Sequence, residues 1–235
     1  MIPKHVGVIL DGNRRYARAL MKNPWEGHKA GIKKSRDVIS WACEKGIKYI
    51  TAYVLSWENY YSRPKREMNL ILKYLEEEMD NITKDKSHVI HKNKVRVRFI
   101  GRVNVLPKNL QKKLKLVEEA TKDYKKHYLD IALAYGGRQE IIDATREILL
   151  KGLKGVIKPS DLDEKIIKQH LYTNGHPYPD MILRTGGEHR LSNFLPFQSA
   201  YSELIFTDKH WPELTKKDFI DALDEFSRRK RRFGK

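Results

Sequence analysis

The sequence predicts an α/β fold: one domain over residues 1–235, with a central, mostly parallel six-stranded sheet flanked by helices. Three observations carry that prediction. Short apolar runs alternate with longer stretches at helical spacing, the pattern of repeated strand–helix units. A length of 235 residues suits a single domain. No repeat, low-complexity linker or composition shift marks a boundary.

The elements follow in order. Residues 6–10 have the pattern of a short buried strand. Over 27–45, Ala30, Val38, Ile39, Trp41 and Ala42 fit an amphipathic helix, and Gly46 follows as its terminator. Residues 49–55 read as a strand. After Pro64, Met68, Ile71, Leu72, Leu75 and Met79 recur at helical spacing over 67–79. Residues 95–100 alternate, with Arg96 and Arg98 facing away from Val95, Val97 and Phe99. Pro107 opens a helix continued by Leu110, Leu114 and Val117. Residues 129–134 form a strand, Gly136-Gly137 a turn and 140–150 a helix. Asp161 is placed to cap a helix running to Leu171. Residues 180–183 and 203–206 are short strands. Thr215 caps the last helix, with Asp218 and Asp221 near its start and a basic run at its end, signs that suit the helix dipole.

Composition narrows the function. Lys and Arg number 47 against 30 Asp and Glu, a net charge of +17. Residues 228–235 supply only six of those positive charges, so the excess is spread along the chain. Nucleic acid, anionic lipid and phosphorylated small molecules are the partners such a charge suits. A single cysteine, Cys43, excludes an internal disulfide framework and a multi-cysteine zinc site. The N-terminal residues lack the stages of a signal peptide, and no apolar run nears the roughly 18 residues of a spanning helix. A cytoplasmic protein is expected.

In parallel sheets ligands bind beyond the C-terminal strand ends, so the residues that follow each strand carry the functional reading. Asp11-Gly12-Asn13-Arg14-Arg15-Tyr16 follows the first strand. It reads as an Asp-Gly turn with a helix cap, or as a phosphate cradle with a carboxylate for a metal ion. Ser56-Trp57-Glu58-Asn59-Tyr60-Tyr61-Ser62-Arg63 follows the second and reads as a polar loop before a helix, with Asn59 and Arg63 free to bond an anion. Tyr135-Gly136-Gly137-Arg138 reads as a strand-to-helix turn. Arg184-Thr185-Gly186-Gly187 through Arg190-Leu191-Ser192 brings two arginines, a glycine pair and a hydroxyl within nine residues, a good diphosphate clamp. Together these loops describe a site for two phosphorylated substrates with apolar tails.

Those motifs, with Gly27-His28-Lys29-Ala30-Gly31, Tyr201-x-Glu203-Leu204, Trp211-Pro212 and the terminal Arg231-Arg232-Phe233-Gly234, resemble the cis-prenyltransferases. These are the undecaprenyl and dehydrodolichyl diphosphate synthases. The resemblance spans the chain in the family's order. It implies repeated addition of isopentenyl diphosphate to an allylic diphosphate such as farnesyl or geranylgeranyl diphosphate, yielding a precursor of a glycosyl carrier lipid. By this resemblance Asp11 and Asn59 are catalytic, and Asp11, Glu203 and His189 hold Mg²⁺. Gly12, Asn13, Arg14, Arg15 and Tyr16, with His28, Ser56, Glu58, Tyr60 and Arg63, serve the allylic substrate and its surroundings. Arg184, Arg190 and Ser192 hold isopentenyl diphosphate. Arg232 reaches the neighbouring site of a homodimer. A hydrophobic tunnel takes the growing chain, its volume set by residues such as Val54 and those over 67–79.

Departures point to an archaeal-type member. Tyr16 stands where bacterial members have Trp, and the bacterial arginine before the Gly-His pair falls on Pro24, with Lys22 nearby. Arg102 and Ala134 replace a bacterial acid and asparagine. A non-catalytic partner subunit of the same fold is the alternative, and Asp11, Asn13, Arg15 and Asn59 argue against it. No nucleic-acid motif is visible, and the arginines gather at strand ends rather than along one helix face. Contact with a membrane surface is expected from the lipid product.

Overall fold

Strand residues alternate between two apolar layers, and this alternation organises the molecule. A computed structural model describes residues 1–229. The elements are β1 (His5–Ile9), α1 (Asn13–Ala19), α2 (Pro24–Glu44), β2 (Tyr49–Ser56), α3 (Trp57–Ser62), α4 (Lys65–Lys84), α5 (Val89–Lys92), β3 (Val95–Ile100), α6 (Lys108–Thr121), β4 (His127–Tyr135), α7 (Gly137–Leu153), α8 (Glu164–His170), β5 (Met181–Arg184), β6 (Glu203–Phe206) and α9 (Lys216–Arg228). The six strands are ordered β3-β4-β2-β1-β5-β6, and every pair is parallel. Val6, Val8, Ile50 and Leu183 pack with helical residues such as Val38, Leu75, Leu114 and Phe219 in the larger cluster. Ile9, Tyr53 and Ile182 pack with Phe194 in the smaller one. A sheet covered on both faces needs near-continuous apolar strands, and all five β1 residues are buried.

Helix boundaries moved where capping chemistry was subtle. α2 starts at Pro24, because Asn23 and Glu26 form a capping box and proline suits the first helical position. The expected loop after β2 is α3, with Ser56 Oγ accepting the Asn59 N–H at 3.0 Å. Asp163, not Asp161, caps α8, its carboxylate accepting the Ile166 N–H at 2.8 Å. Asp161 lies in a short 3₁₀ turn, Pro159–Asp161. Thr215 does cap α9, reciprocally with Asp218.

Strand order locates the site. After β1 the chain moves to β2, β3 and β4 on one side, then crosses to β5 on the other. The connections therefore diverge at the C-terminal ends of β1 and β5, where α/β sheets open a crevice. Asp11 lies just beyond β1 and Arg184 ends β5.

Helices α2 and α4 are tied by charge. Arg36 donates Nε to Glu78 Oε1 at 2.9 Å and Nη2 to Oε2, and His88 Nε2 lies 3.1 Å from Oε1. Burial pushes the Glu78 carboxyl up, but His88 and Arg36 outweigh it and hold it at about 2, against an ordinary 4.5. A carboxyl depressed on folding stabilises above its unfolded value, and that stability is lost as pH falls through the folded value. Folding free energy is therefore expected to drop by on the order of 2 kcal/mol as pH falls from 4.5 to 2. Urea denaturation at stepped pH reads this, and Glu78→Gln is expected to flatten the fall.

Candidate active site

Asp11 is fixed from both ends. Its N–H donates to Thr185 Oγ1 at 3.1 Å, and its carbonyl accepts from Thr185 Oγ1 at 2.8 Å and from the Trp211 N–H at 2.9 Å. Trp211 is itself buried, its indole N–H donating to the Gly31 carbonyl at 2.9 Å. The next residue, Gly12, has φ +100, a left-handed conformation that glycine adopts at little cost, and a Cβ there would meet His210 at 2.8 Å. Gly27 serves close approach: a Cβ would lie 1.9 Å from the Asn13 carbonyl oxygen, so α2 packs directly on the start of α1.

Cations surround the Asp11 carboxylate. Oδ1 accepts the Gly12 N–H at 2.6 Å and faces Arg15 Nη2 at 3.3 Å. Oδ2 accepts Arg184 Nη2 at 2.8 Å. Burial raises this carboxyl, but the Arg184 hydrogen bond, the Gly12 N–H and the Arg15 charge outweigh it and keep the group below its ordinary range. It is ionised at neutral pH. Arg184 is 4% exposed and also donates to Ser192 Oγ at 2.8 Å and to the Arg190 carbonyl. Ser192 and Asn193 are both left-handed, with φ 50 and 65, and the Tyr53 hydroxyl supports the turn by donating to the Ser192 carbonyl at 3.3 Å.

A second knot of charge lies across α1. Glu67 Oε1 accepts from Arg63 Nη1 at 2.7 Å, lies 3.0 Å from His28 Nε2, and faces Arg14 Nε at 3.7 Å. Burial lowers the His28 imidazole; Glu67 opposes this, and the Arg63 charge lowers it further, so the ring is neutral at pH 7. Burial raises the Glu67 carboxyl, yet His28, Arg63 and Arg14 bring it below its ordinary range.

A cleft of about 770 Å³ joins the two knots. Asp11, Asn13, Arg14, His28, Ser56, Glu58, Asn59, Arg63, Arg184, Arg190 and Ser192 all line it. Gly12 and Arg15 line an adjoining pocket of about 250 Å³. Five arginines against two carboxylates line the cleft, so it suits polyanions. Leu10, Asn13, His28, Val54 and Ile71 are shared between the cleft and an interior apolar cavity of about 100 Å³. The Asn13 Oδ1 atom is buried there without a partner.

Other expected residues stand elsewhere. Tyr60 donates its hydroxyl to the Val105 carbonyl at 2.8 Å, away from the cleft, and Tyr16 lines a groove outside α2 and α4. His189 stacks on Phe206 with ring centroids 4.7 Å apart. Glu203 begins β6 opposite Met181, at the sheet end away from Arg184, and pairs with Arg229 at 3.0 Å. Three residues of strand, roughly 10 Å, separate the two ends. The structure therefore does not bring Asp11, His189 and Glu203 together, and among the described residues no cluster of three such side chains is placed to hold a metal ion. Asp11 alone fits Mg²⁺ in one familiar way, as a hard carboxylate oxygen beside a site for phosphates that complete the shell. Arg232 lies outside the described residues.

Sequence reasoning missed Glu67 and Arg138. Glu67 sits in the first turn of α4, where an acid reads as a dipole partner. Arg138 lines the cleft from the first turn of α7, with its N–H donating to Asn193 Oδ1 at 2.9 Å.

Comparison with known proteins points one way. The Prenyltransf family model, describing undecaprenyl diphosphate synthase, matches residues 9–234. The tritrans,polycis-undecaprenyl-diphosphate synthase (geranylgeranyl-diphosphate specific) of Methanocaldococcus jannaschii is 48% identical, over 100% of this chain and 83% of its own. That of Methanopyrus kandleri is 47% identical, over 100% of this chain and 85% of its own. Lavandulyl diphosphate synthase from Lavandula x intermedia, solved with dimethylallyl diphosphate, superposes with TM-score 0.94 at 33% identity, covering 100% of this chain and 99% of the other. A probable undecaprenyl diphosphate synthase from Campylobacter jejuni superposes with TM-score 0.80 at 32% identity, covering 99% of both chains.

Proposed function

The chain belongs to the undecaprenyl diphosphate synthase family of cis-prenyltransferases, and from that premise we propose that its cleft elongates geranylgeranyl diphosphate with isopentenyl diphosphate in a Mg²⁺-dependent reaction. One observation carries the reading: Asp11 and Arg184 meet at the divergence of β1 and β5, where the cationic cleft opens into an apolar cavity.

Arg14, Arg15 and Arg63 bind the allylic diphosphate, and Arg184, Arg190, Arg138 and Ser192 bind that of isopentenyl diphosphate. Two polyanions approach only if fixed cations offset their repulsion, and fixed orientation supplies much of the acceleration. The allylic C–O bond breaks with its electron pair leaving on diphosphate. The isopentenyl double bond then attacks the allylic carbon, and a proton passes from the new chain to an oxygen of the released diphosphate. Asp11 would hold Mg²⁺, which when bound would supply charge neutralisation for the departing diphosphate. His28 lines the cleft with its imidazole lowered by burial and by the Arg63 charge. Asn59 lines the same cleft as Asp11 and Arg184. The apolar cavity takes the tail, where each buried CH₂ contributes roughly 0.8 kcal/mol.

The protein works as a homodimer on this reading. Ile142, Leu149, Leu150 and Leu153 leave an apolar stripe exposed on α7, which a second copy would cover. The +17 charge supports contact with an anionic membrane surface, where the product is delivered. No helix among the described residues is long and apolar enough to cross a membrane. Primer competition tests the substrate assignment. Geranylgeranyl diphosphate is expected to show a higher kcat/KM than farnesyl diphosphate at equal Mg²⁺, and a preference for farnesyl diphosphate would overturn it.

A further inference from the structure

The interior cavity has an unusual wall. It begins beside Asn13 and His28 and is lined by Val54, Ile71, Leu75 and Met79, yet Arg36, Glu78 and His88 also line it. Arg36 lies eight residues along α2 from His28, about 12 Å, and Glu78 lies eleven residues along α4 from Glu67, about 16 Å. The two pairs, His28 with Glu67 and Arg36 with Glu78, thus mark the near and far ends of the same helix–helix seam. The Glu78 side chain is 13% exposed and that of His88 3%. Outside the seam lies a groove of about 450 Å³, and Ile32, Arg36 and Glu78 line both the groove and the cavity. These three side chains are the partition between them.

The pair is buried on the Glu78 side only, since the Arg36 side chain is 38% exposed toward the outer groove, and such a pair is weak evidence for stability. Its position suggests another use. A cavity of about 100 Å³ is far below the roughly 300–1,000 Å³ of ordinary ligand pockets, so a long chain has to displace the wall. Along Ile71, Leu75 and Met79 that wall is apolar and the tail replaces one apolar contact with another. At Arg36 and Glu78 it has to separate two charges and gains no apolar surface.

We propose that Arg36, Glu78 and His88 form a polar stop that limits product length by holding the α2–α4 seam shut against the growing tail. The proposal rests on the chain-elongation reading above. The residues act on chain length without touching the diphosphates, so they are specificity residues and not catalytic ones.

The test is product analysis of a double variant, Arg36→Met with Glu78→Met, which replaces both charges by flexible apolar side chains. Wild type and variant are given labelled isopentenyl diphosphate and an allylic primer, and thermal melts confirm folding. The expected result is a product distribution shifted upward by one or more five-carbon units, with the first condensation at its wild-type rate. An unchanged or shorter distribution in a folded variant would overturn the stop. Should the double variant not fold, Glu78→Gln carries the test: it removes the charge at constant shape, and unchanged lengths there overturn the stop equally. Arg36→Lys, which keeps the charge, is expected to keep the wild-type distribution. Wild type making no product at all would overturn the elongation reading and the stop with it; wild type elongating while every variant matches it overturns the stop alone.

Discussion

Asp11→Ala is expected to cut turnover by about 10³-fold or more with a stability loss of only about 1–2 kcal/mol, set by Arg184 losing its carboxylate. The asymmetry follows from where the side chain sits. It is 31% exposed and faces the cleft, so little apolar packing depends on it. Its backbone is fixed by Thr185 and Trp211, contacts the substitution leaves intact. Arg184 would lose one partner and keep Ser192 and the Arg190 carbonyl. The chemistry has no comparable reserve, since among the described residues Asp11 alone is a carboxylate held against both Arg15 and Arg184. Steady-state kinetics with a thermal melt on the same sample read both quantities. Full activity in the variant would remove Asp11 from the ionisation step.

Arg184→Ala is expected to damage activity and stability together. The guanidinium is 4% exposed and ties the end of β5 to two other segments, Asp11 after β1 and the turn holding Ser192 and the Arg190 carbonyl. Breaking a fully buried pair costs about 3–5 kcal/mol, and partial exposure of Asp11 reduces this to about 2 kcal/mol here. The isopentenyl diphosphate clamp would lose its fixed cation and its ordered Ser192 turn, for a fall in kcat/KM of about 10³-fold. Arg190→Ala is the contrast. That side chain is 61% exposed and pairs with Glu188, so its loss is expected to raise KM for isopentenyl diphosphate about tenfold with no change in melting. Equal stability losses in the two variants would contradict the division of labour.

The architecture was legible because a parallel sheet writes itself as apolar runs with period-two packing on both faces. Residues at strand ends were legible for the same reason: Ser56 and Arg184 end strands, and Asp11 and Ser192 lie in the loops beyond them, all lining the cleft. Glu67 was not. It reaches His28 across 39 positions, and nothing local distinguishes it from an acid placed to suit the helix dipole. Tyr16 and Tyr60 do not line the cleft although their neighbours do, because a helix turns each successive side chain about 100° away. Glu203 was assigned to metal by resemblance, although the strand expected over 203–206 already set it at the strand's start, the end away from Arg184. The altered start of α2 and the capping of α8 by Asp163 turned on hydrogen bonds that sequence patterns locate only to within a few residues.

The most direct test of the central claim is incubation of the purified protein with Mg²⁺, geranylgeranyl diphosphate and labelled isopentenyl diphosphate, with products resolved by chain length. A ladder of products separated by five-carbon steps, absent in Asp11→Ala, is the predicted result. No incorporation of label by the folded protein with geranylgeranyl or any shorter allylic primer would contradict it.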